Sequence, residues 1–175
     1  IGSDNRAGGR IAADHLIAAG RRRLAFLGDA TAHYPEFEAR FQGVRDALAA
    51  AGLPPPLQAD AFTTEESGHA AAARLLAGGD RPDAIVAASD LIAIGAMRAL
   101  AEQGLSVPAD VAVTGFDDLP AAASSRPPLT TVAQDTQGAG QLLVDALLAR
   151  IGGRQVAPPM LPVRLVVRQS CGARP

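Results

Sequence analysis

Apolar residues along this chain recur at two spacings that take turns. Residues 7–19, AGGRIAADHLIAA, have the helical spacing and end at Gly20, and RRRLAFLGD follows as a short strand behind three arginines. A second helix is predicted over 35–52, with Phe37, Phe41, Val44 and Leu48 on one face and Gly52 as its stop. After the turn LPPP, residues 57–62 (LQADAF) read as a strand, and TTEESGHAAAARLLAGG as a helix capped by Thr63 or Thr64. DAIVAAS, residues 83–89, is continuously apolar, the mark of a strand covered on both faces. DLIAIGAMRALAEQG is the next helix, stopped by Gly104, and VPADVAVTGF the next strand. Five such units predict an α/β fold: an open, mostly parallel sheet with helices on both faces.

The pattern then changes. In GFDDLPAAASSRPPLTTVAQD, residues 115–135, two adjacent carboxylates end an apolar strand, and a long Pro-rich loop leads to a short β-branched run. Residues 136–151, TQGAGQLLVDALLARI, form a helix whose face of Ala139, Leu142, Leu143, Ala146 and Leu147 is widened by Val144, Leu148 and Ile151. That apolar arc exceeds the stripe of a surface helix. It predicts cover on more than one side, by self-association or by packing back on the chain's own core.

Composition narrows the chemistry. A chain of 175 residues with 48% apolar content can bury one ordinary core. Its apolar runs fall short of the roughly 20 residues of a membrane span, and no charged-then-apolar amino terminus reads as an export signal. A soluble, cytoplasmic protein is expected, with the reservation that a chain opening on Ile1 can have lost an upstream segment. Cys171 is the single cysteine, which excludes an internal disulfide and a multi-cysteine zinc site. All 16 basic residues are Arg, so a P-loop lysine, a Schiff-base lysine and a receiver-type lysine are excluded. A net charge of -2 does not supply the basic excess that broad nucleic-acid binding needs.

In sheets of this kind ligands bind beyond the carboxyl ends of the strands. The strand ends LGD, AASD and GFDD place Asp29, Ser89 with Asp90, and Asp117 with Asp118 along one edge. Any one of them, Asp90 above all, can simply cap the next helix; three together favour a site. Adjacent Asp117 and Asp118 point to opposite sides of an extended backbone, which argues against a nucleophile pair. His15, His33 and His69 show no metal-binding spacing and read as surface or partly buried structural residues, and no GxSxG or GxGxxG is present. The pair Gly8 and Gly9 reads as an aid to helix packing. No metal and no cofactor is called for. A hydroxylated neutral ligand needs a carboxylate acceptor, an Arg donor and an aromatic face. Asp117, Arg40, and one of Tyr34, Phe62 or Phe116 supply these parts.

The run of Gly-aromatic-Asp-Asp, loop, PPLTT and Gln resembles the carboxy-terminal part of effector domains in LacI/GalR-type transcriptional regulators. SDNRAGGRIAADHLIAAGRRRLAFLGD, EARFQGVRDAL, AIVAASDLIAIGAMRAL and LPVRLVVRQS resemble the same family, so the match covers nearly the whole chain. The resemblance implies a periplasmic-binding-protein-like type I fold, with residues 1–135 as its second subdomain. It implies that 136–152 belong to a first subdomain lying outside this sequence and that 153–175 form a return strand and tail. By position, Arg40 and Asp117 match the family's effector-gripping pair, Ser89 a small polar pocket position, and Gln134 and Asp4 the third and second crossovers. The family's stacking aromatic falls on Thr63, while Phe62 stands one position earlier and is the candidate here. The helix from Asp90 matches a dimer helix, with Ile94, Met97, Arg98 and Ala101 as its interface.

The resulting expectation is a non-enzymatic effector-sensing module. Its partners are a small-molecule effector, a sugar by the resemblance, and a second copy in a homodimer. DNA is reached only through an amino-terminal helix-turn-helix outside this sequence, and no membrane is involved. A periplasmic sugar-binding protein of a transporter is the alternative. An apolar outward face on the helix from Asp90, formed by Ile94, Met97, Leu100 and Ala101, would favour the dimeric regulator. A hydrolase ranks third.

Overall fold

The computed structural model describes residues 2–30, 34–79, 81–155 and 159–172. Among them, strands β2 (Leu24–Leu27), β3 (Leu57–Ala59), β4 (Ala84–Ala87), β5 (Ala112–Asp117), β6 (Thr130–Gln134) and β8 (Val163–Val166) form one sheet in the order β3-β2-β4-β5-β6-β8. All neighbours are parallel except β8, which runs antiparallel to β6. A separate two-stranded parallel ladder joins β1 (Gly2–Ser3) to β7 (Met160–Leu161). The order reverses between β2 and β4, so the carboxyl ends of these two strands flank a topological switch point.

Helices α1 (Asn5–Ala18), α2 (Pro35–Ala50), α3 (Glu65–Ala77), α4 (Asp90–Glu102) and α6 (Thr136–Ile151) follow the predicted pattern, with boundaries moved by a few residues. Asp4 caps α1 by accepting from Ala7 N, which starts the helix two residues before the predicted position. Thr64 caps α3 in the same way, accepting from Ser67 N. Gly52 and Gly104, at φ 66° and 72°, take the left-handed conformation that ends a helix cheaply only for glycine. Helices cover both faces. Along β5 successive side chains alternate, so Phe116 meets α1 at Gly8 while a side chain at Gly115 would meet Asp90 of α4. The four residues of β4 are all buried, as its apolar run requires.

Two helix pairs, α1 with α2 and α3 with α4, touch backbone to backbone. A Cβ on Gly9 would collide with the Arg40 carbonyl, and one on Gly43 with that of Arg6. Gly68 and Gly95 meet the carbonyls of Ile92 and Glu65 in the same reciprocal manner. The packing role read for Gly8 and Gly9 is thus divided: Gly9 belongs to the α1–α2 contact, and Gly8 lets α1 approach Phe116 and Val132 of the sheet.

Several expectations are corrected. The Pro-rich loop contains a short helix, α5 (Pro120–Ser124), started by Pro120 at its first position. The strand expected over 83–89 stops at Ala87, because Ser89 is the α4 cap. LPVRLVVRQS is not one strand: Pro162 lacks an N–H, and Leu161 before it pairs with β1 while Val163 after it pairs with β6. Met97 and Leu100, placed on the outward face of α4, are 6% and 0% exposed and belong to the chain's own core. What α4 presents outward is Arg98 and Ala101, with Ile94 half-buried. Finally, α6 does not fold back on the core. Ala149 is its one buried residue among those described, and Leu143, Val144, Leu147, Leu148 and Ile151 are each more than half exposed.

Candidate functional site

Arg40 is carried into the interior because it shares the inward stripe of α2 with Phe37, Val44 and Leu48. It is 6% exposed. Its Nε donates to Asn5 Oδ1 at 2.8 Å, and Nη1 donates to the carbonyl of Ala88, at the end of β4 beside the switch point. The guanidinium lies 3.6 Å from the Phe116 ring centre and 5.4 Å from that of Phe37. Burial pushes its pKa down to about 10, against the opposing pull of Asp117, Glu36 and Asp90, so it stays charged at neutral pH. With Nε and Nη1 occupied, Nη2 is left to face Asp117 Oδ1 at 4.0 Å.

Asp117 ends β5 in register with Ala133, which brings the next residue of β6, Gln134, alongside. Gln134 Nε2 donates to Asp117 Oδ1 at 2.6 Å. Burial raises the Asp117 carboxyl above its ordinary value, and Arg40 and Gln134 pull it back. Asp118 turns the other way, although the backbone here is not the extended one expected from the sequence: its Oδ1 accepts from Arg168 Nη2 at 2.7 Å, and Arg168 Nη1 also donates to the Leu129 carbonyl at 2.8 Å. One carboxylate faces Arg40 and Gln134, and the other ties down the C-terminal segment. Both have positive φ, 111° for Asp117 and 58° for Asp118, conformations costing of order 1–3 kcal/mol each for non-glycine residues.

Asp90 departs from the reading as a cap. Ser89 caps α4 instead, its hydroxyl accepting from Ile92 N at 3.4 Å. Asp90 is fully buried and reaches across to accept from Thr131 Oγ1 at 2.6 Å and from Leu119 N at 2.7 Å. Burial raises its pKa from the ordinary 3.8 to about 6, with Asp117 and Asp118 adding to the rise and the two hydrogen bonds opposing it.

A cleft of about 460 Å³ opens beside Arg40 and Gln134, with Ser3, Asn5, Thr136 and Met160 among its walls. Asp4 stands between two of these wall residues, but its carboxylate is committed to the α1 cap. Ser89, 1% exposed, is likewise committed to α4. Phe116, one of the aromatic candidates, is 2% exposed and lies against Arg40, so it supports the arginine and offers no open face. Phe62 is 55% exposed and sits edge-on to Tyr34 with ring centres 6.1 Å apart; Tyr34 in turn stacks on Phe37 at 5.8 Å. Asn5 and the Ala88 carbonyl, which set the arginine's orientation, have no signature in the sequence beyond their nearness to a strand end.

Elsewhere, His15 Nε2 contacts Cys171 Sγ at 3.2 Å, and Thr130 Oγ1 donates to the same sulfur at 3.1 Å. The cysteine is fully buried between α1 and the first residue of β6. His69 pairs with Glu102 at 2.6 Å across α3 and α4, while His33 lies outside the described residues. Among the described residues no group of three or more His, Cys, Asp or Glu is placed to hold a metal ion. What the cleft can do is bind: the Arg40 guanidinium and Gln134 on its wall, with the Asp117 carboxylate beside both, suit a molecule carrying hydroxyl groups.

Residues 13–171 match the family described as the periplasmic binding protein-like domain. The HTH-type transcriptional regulator CelR of Thermobifida fusca is 40% identical over 171 residues, covering 95% of this chain and 50% of that protein. The structure of a CelR–cellobiose complex superposes with a TM-score of 0.88 at 38% identity, over 96% of this chain and 52% of that one. The lac repressor dimer bound to operator and the anti-inducer ONPF gives a TM-score of 0.89 at 34% identity, over 98% of this chain and 52% of that one. The chain thus spans about half the length of the curated relatives it matches. It belongs to the periplasmic binding protein-like domain family, in the form carried by the LacI-type transcriptional regulators.

Proposed function

We propose that this chain is the effector-sensing half of a LacI-type transcriptional regulator and that its ligand is a small hydroxylated molecule, a sugar. The observation that carries this reading is the state of Arg40: two of its nitrogens are held by Asn5 and Ala88, and the third is left beside Asp117 at the cleft. A vicinal diol fits such a pair, one hydroxyl accepting from Nη2 and another donating to the free Oδ2 of Asp117. Gln134 fixes the carboxylate, and the exposed ring of Phe62, backed by Tyr34, covers the apolar face of a sugar. Ser89 and Asp4 shape the cleft through the helices they cap. A relative known as a cellobiose complex makes cellobiose the first probe.

The helix α6 and the β1–β7 ladder, set apart from the main sheet, are read as parts of a first subdomain that forms the opposite wall. Effector binding then favours one arrangement of the two subdomains, and a dimer through Ile94, Arg98 and Ala101 of α4, with Met97 beneath them, passes this to the DNA-binding heads. No chemical step is assigned to the site. The relatives' names favour this regulator over a transport protein; the apolar face of α4 is no longer an argument, since Met97 and Leu100 are buried.

The test is calorimetric titration of the whole regulator with cellobiose and other disaccharides. Asp117→Ala is expected to weaken binding by about 2–4 kcal/mol, the loss of charge-assisted hydrogen bonds. Asp118→Ala, whose carboxylate faces Arg168, is expected to change affinity far less. Equal affinities of the wild type and the Asp117 variant would remove that residue from the site.

A further inference from the structure

The peptide that aims Asp117 at Arg40 is held from behind. Asp117 and Asp118, at φ 111° and 58°, occupy backbone conformations that side chains with a Cβ avoid. Their own carboxylates do not hold them there, because one is bonded to Gln134 and the other to Arg168. The next amide, Leu119 N, donates to Asp90 Oδ2 at 2.7 Å. Asp90 Oδ1 accepts from Thr131 Oγ1 at 2.6 Å, and the same hydroxyl accepts from Asp118 N at 3.4 Å. The carboxylate occupies the space that any side chain at Gly115 would fill.

Capping α4 does not explain this arrangement, since Ser89 already does so. Nor does the favourable interaction of an acid with the first turn of a helix, which an exposed Asp would enjoy without desolvation. Asp90 is 0% exposed, and among the described residues no cation is hydrogen-bonded to it; the charged groups acting on it are Asp117 and Asp118 at the end of β5 and Arg40 of α2. We propose that Asp90 is a positioning residue for the ligand site: its two oxygens clamp the Asp117–Asp118–Leu119 backbone in the turn that directs Asp117 toward Arg40 and Gln134. This rests on the reading of Asp117 as the ligand's carboxylate.

The clamp is tested first without ligand, on the full chain carrying Asp90→Ala or Asp90→Asn. The amide-to-α-proton coupling of Asp117 is small at φ near 111° and large in extended backbone. Asp90→Ala is expected to bring the large value. Asp90→Asn is expected to keep the small one, because its carbonyl accepts from Leu119 N and its amide donates to Thr131 Oγ1. An alanine variant that folds and keeps the small coupling overturns the proposal. Should that variant not fold, Thr131→Val removes one of the two hydrogen bonds. It must then speed hydrogen exchange at Leu119 relative to Val113, and equal rates would overturn the clamp. The same variants are titrated with cellobiose: the alanine form should lose about tenfold or more in affinity and the asparagine form about threefold or less. An alanine variant that binds as the wild type does also overturns the proposal. A wild type that binds no cellobiose counts against the ligand reading alone, and the coupling then decides the clamp.

Discussion

Asp90 and Arg40 are both charged and both buried, yet only one of them makes stability depend on pH near neutrality. For Asp90 the folded pKa, about 6, lies above the ordinary 3.8. Its contribution is therefore fully present below pH 3.8 and is lost as pH rises through about 6, a difference of about 3 kcal/mol. For Arg40 the corresponding window lies above pH 10 and leaves the neutral range flat. Asp90→Asn is thus expected to be more stable than the wild type at pH 7 and to lose most of that advantage by pH 4.5, by about 2 kcal/mol or more between the two. Denaturant unfolding of both proteins at the two pH values measures this; parallel pH profiles would contradict it. Asp117 stood out in the sequence because it ends a strand with a clear apolar pattern, whereas Arg40 lies within α2 and Gln134 was named from the family resemblance. Asp90 was legible as a cap or as one of a strand-end cluster but not by its bonds, since its partners Thr131 and Leu119 lie across a crossover and carry no pattern linking them to it.

At the level of elements, helix starts and stops were readable because caps and glycines act locally. The mutual approach of the helices was not, because it depends on which faces the sheet brings together. Gly9→Ala and Gly43→Ala each add a methyl where a carbonyl of the opposite helix already lies. Better helix propensity would return about 1 kcal/mol, but overpacking at a backbone contact costs about 1–3 kcal/mol or more. A net loss of about 1–2 kcal/mol is expected in denaturant unfolding. Gly140→Ala on α6, where nothing lies within 4 Å, is the contrast and should gain about 0.5–1 kcal/mol. Because Gly9 packs on the backbone of Arg40, its variant should also weaken ligand binding, whereas the Gly140 variant should not. The short α5 and the break at Pro162 escaped the sequence reading for another reason. Five residues carry too little periodicity to separate a helix from a loop, and a strand that changes partners looks like one strand.

For the molecule as a whole, the unfinished part is α6. Its width of apolar surface was legible in the sequence, and of the two kinds of cover expected for it the chain's own core does not supply one: Leu147 and Leu148 are both 60% exposed and Ile151 76%. Each such side chain forgoes about 1.5–3 kcal/mol of burial. The chain by itself is expected to self-associate in a concentration-dependent way seen by light scattering, and Leu147→Glu with Leu148→Glu should return it toward the monomer. A wild type that stays monomeric at every concentration would show that this face tolerates water.

The pairing of Asp118 with Arg168 also bears on how the protein is made. Arg40, Asp117 and Gln134 all leave the ribosome before α6, and the strands β2 to β6 that carry or flank them can pair as they emerge. The guanidinium that steadies the turn, the β8 strand that closes the edge of β6, and Ser170, whose hydroxyl bridges Val113 O and Thr130 N, come last. A nascent chain therefore has Arg40, Asp117 and Gln134 in hand while the turn that carries Asp117 is still anchored on one side only. Competence to bind should arrive as a late event of translation, and a chain that stops short of Arg168 should be translated almost in full and still be blind to its effector.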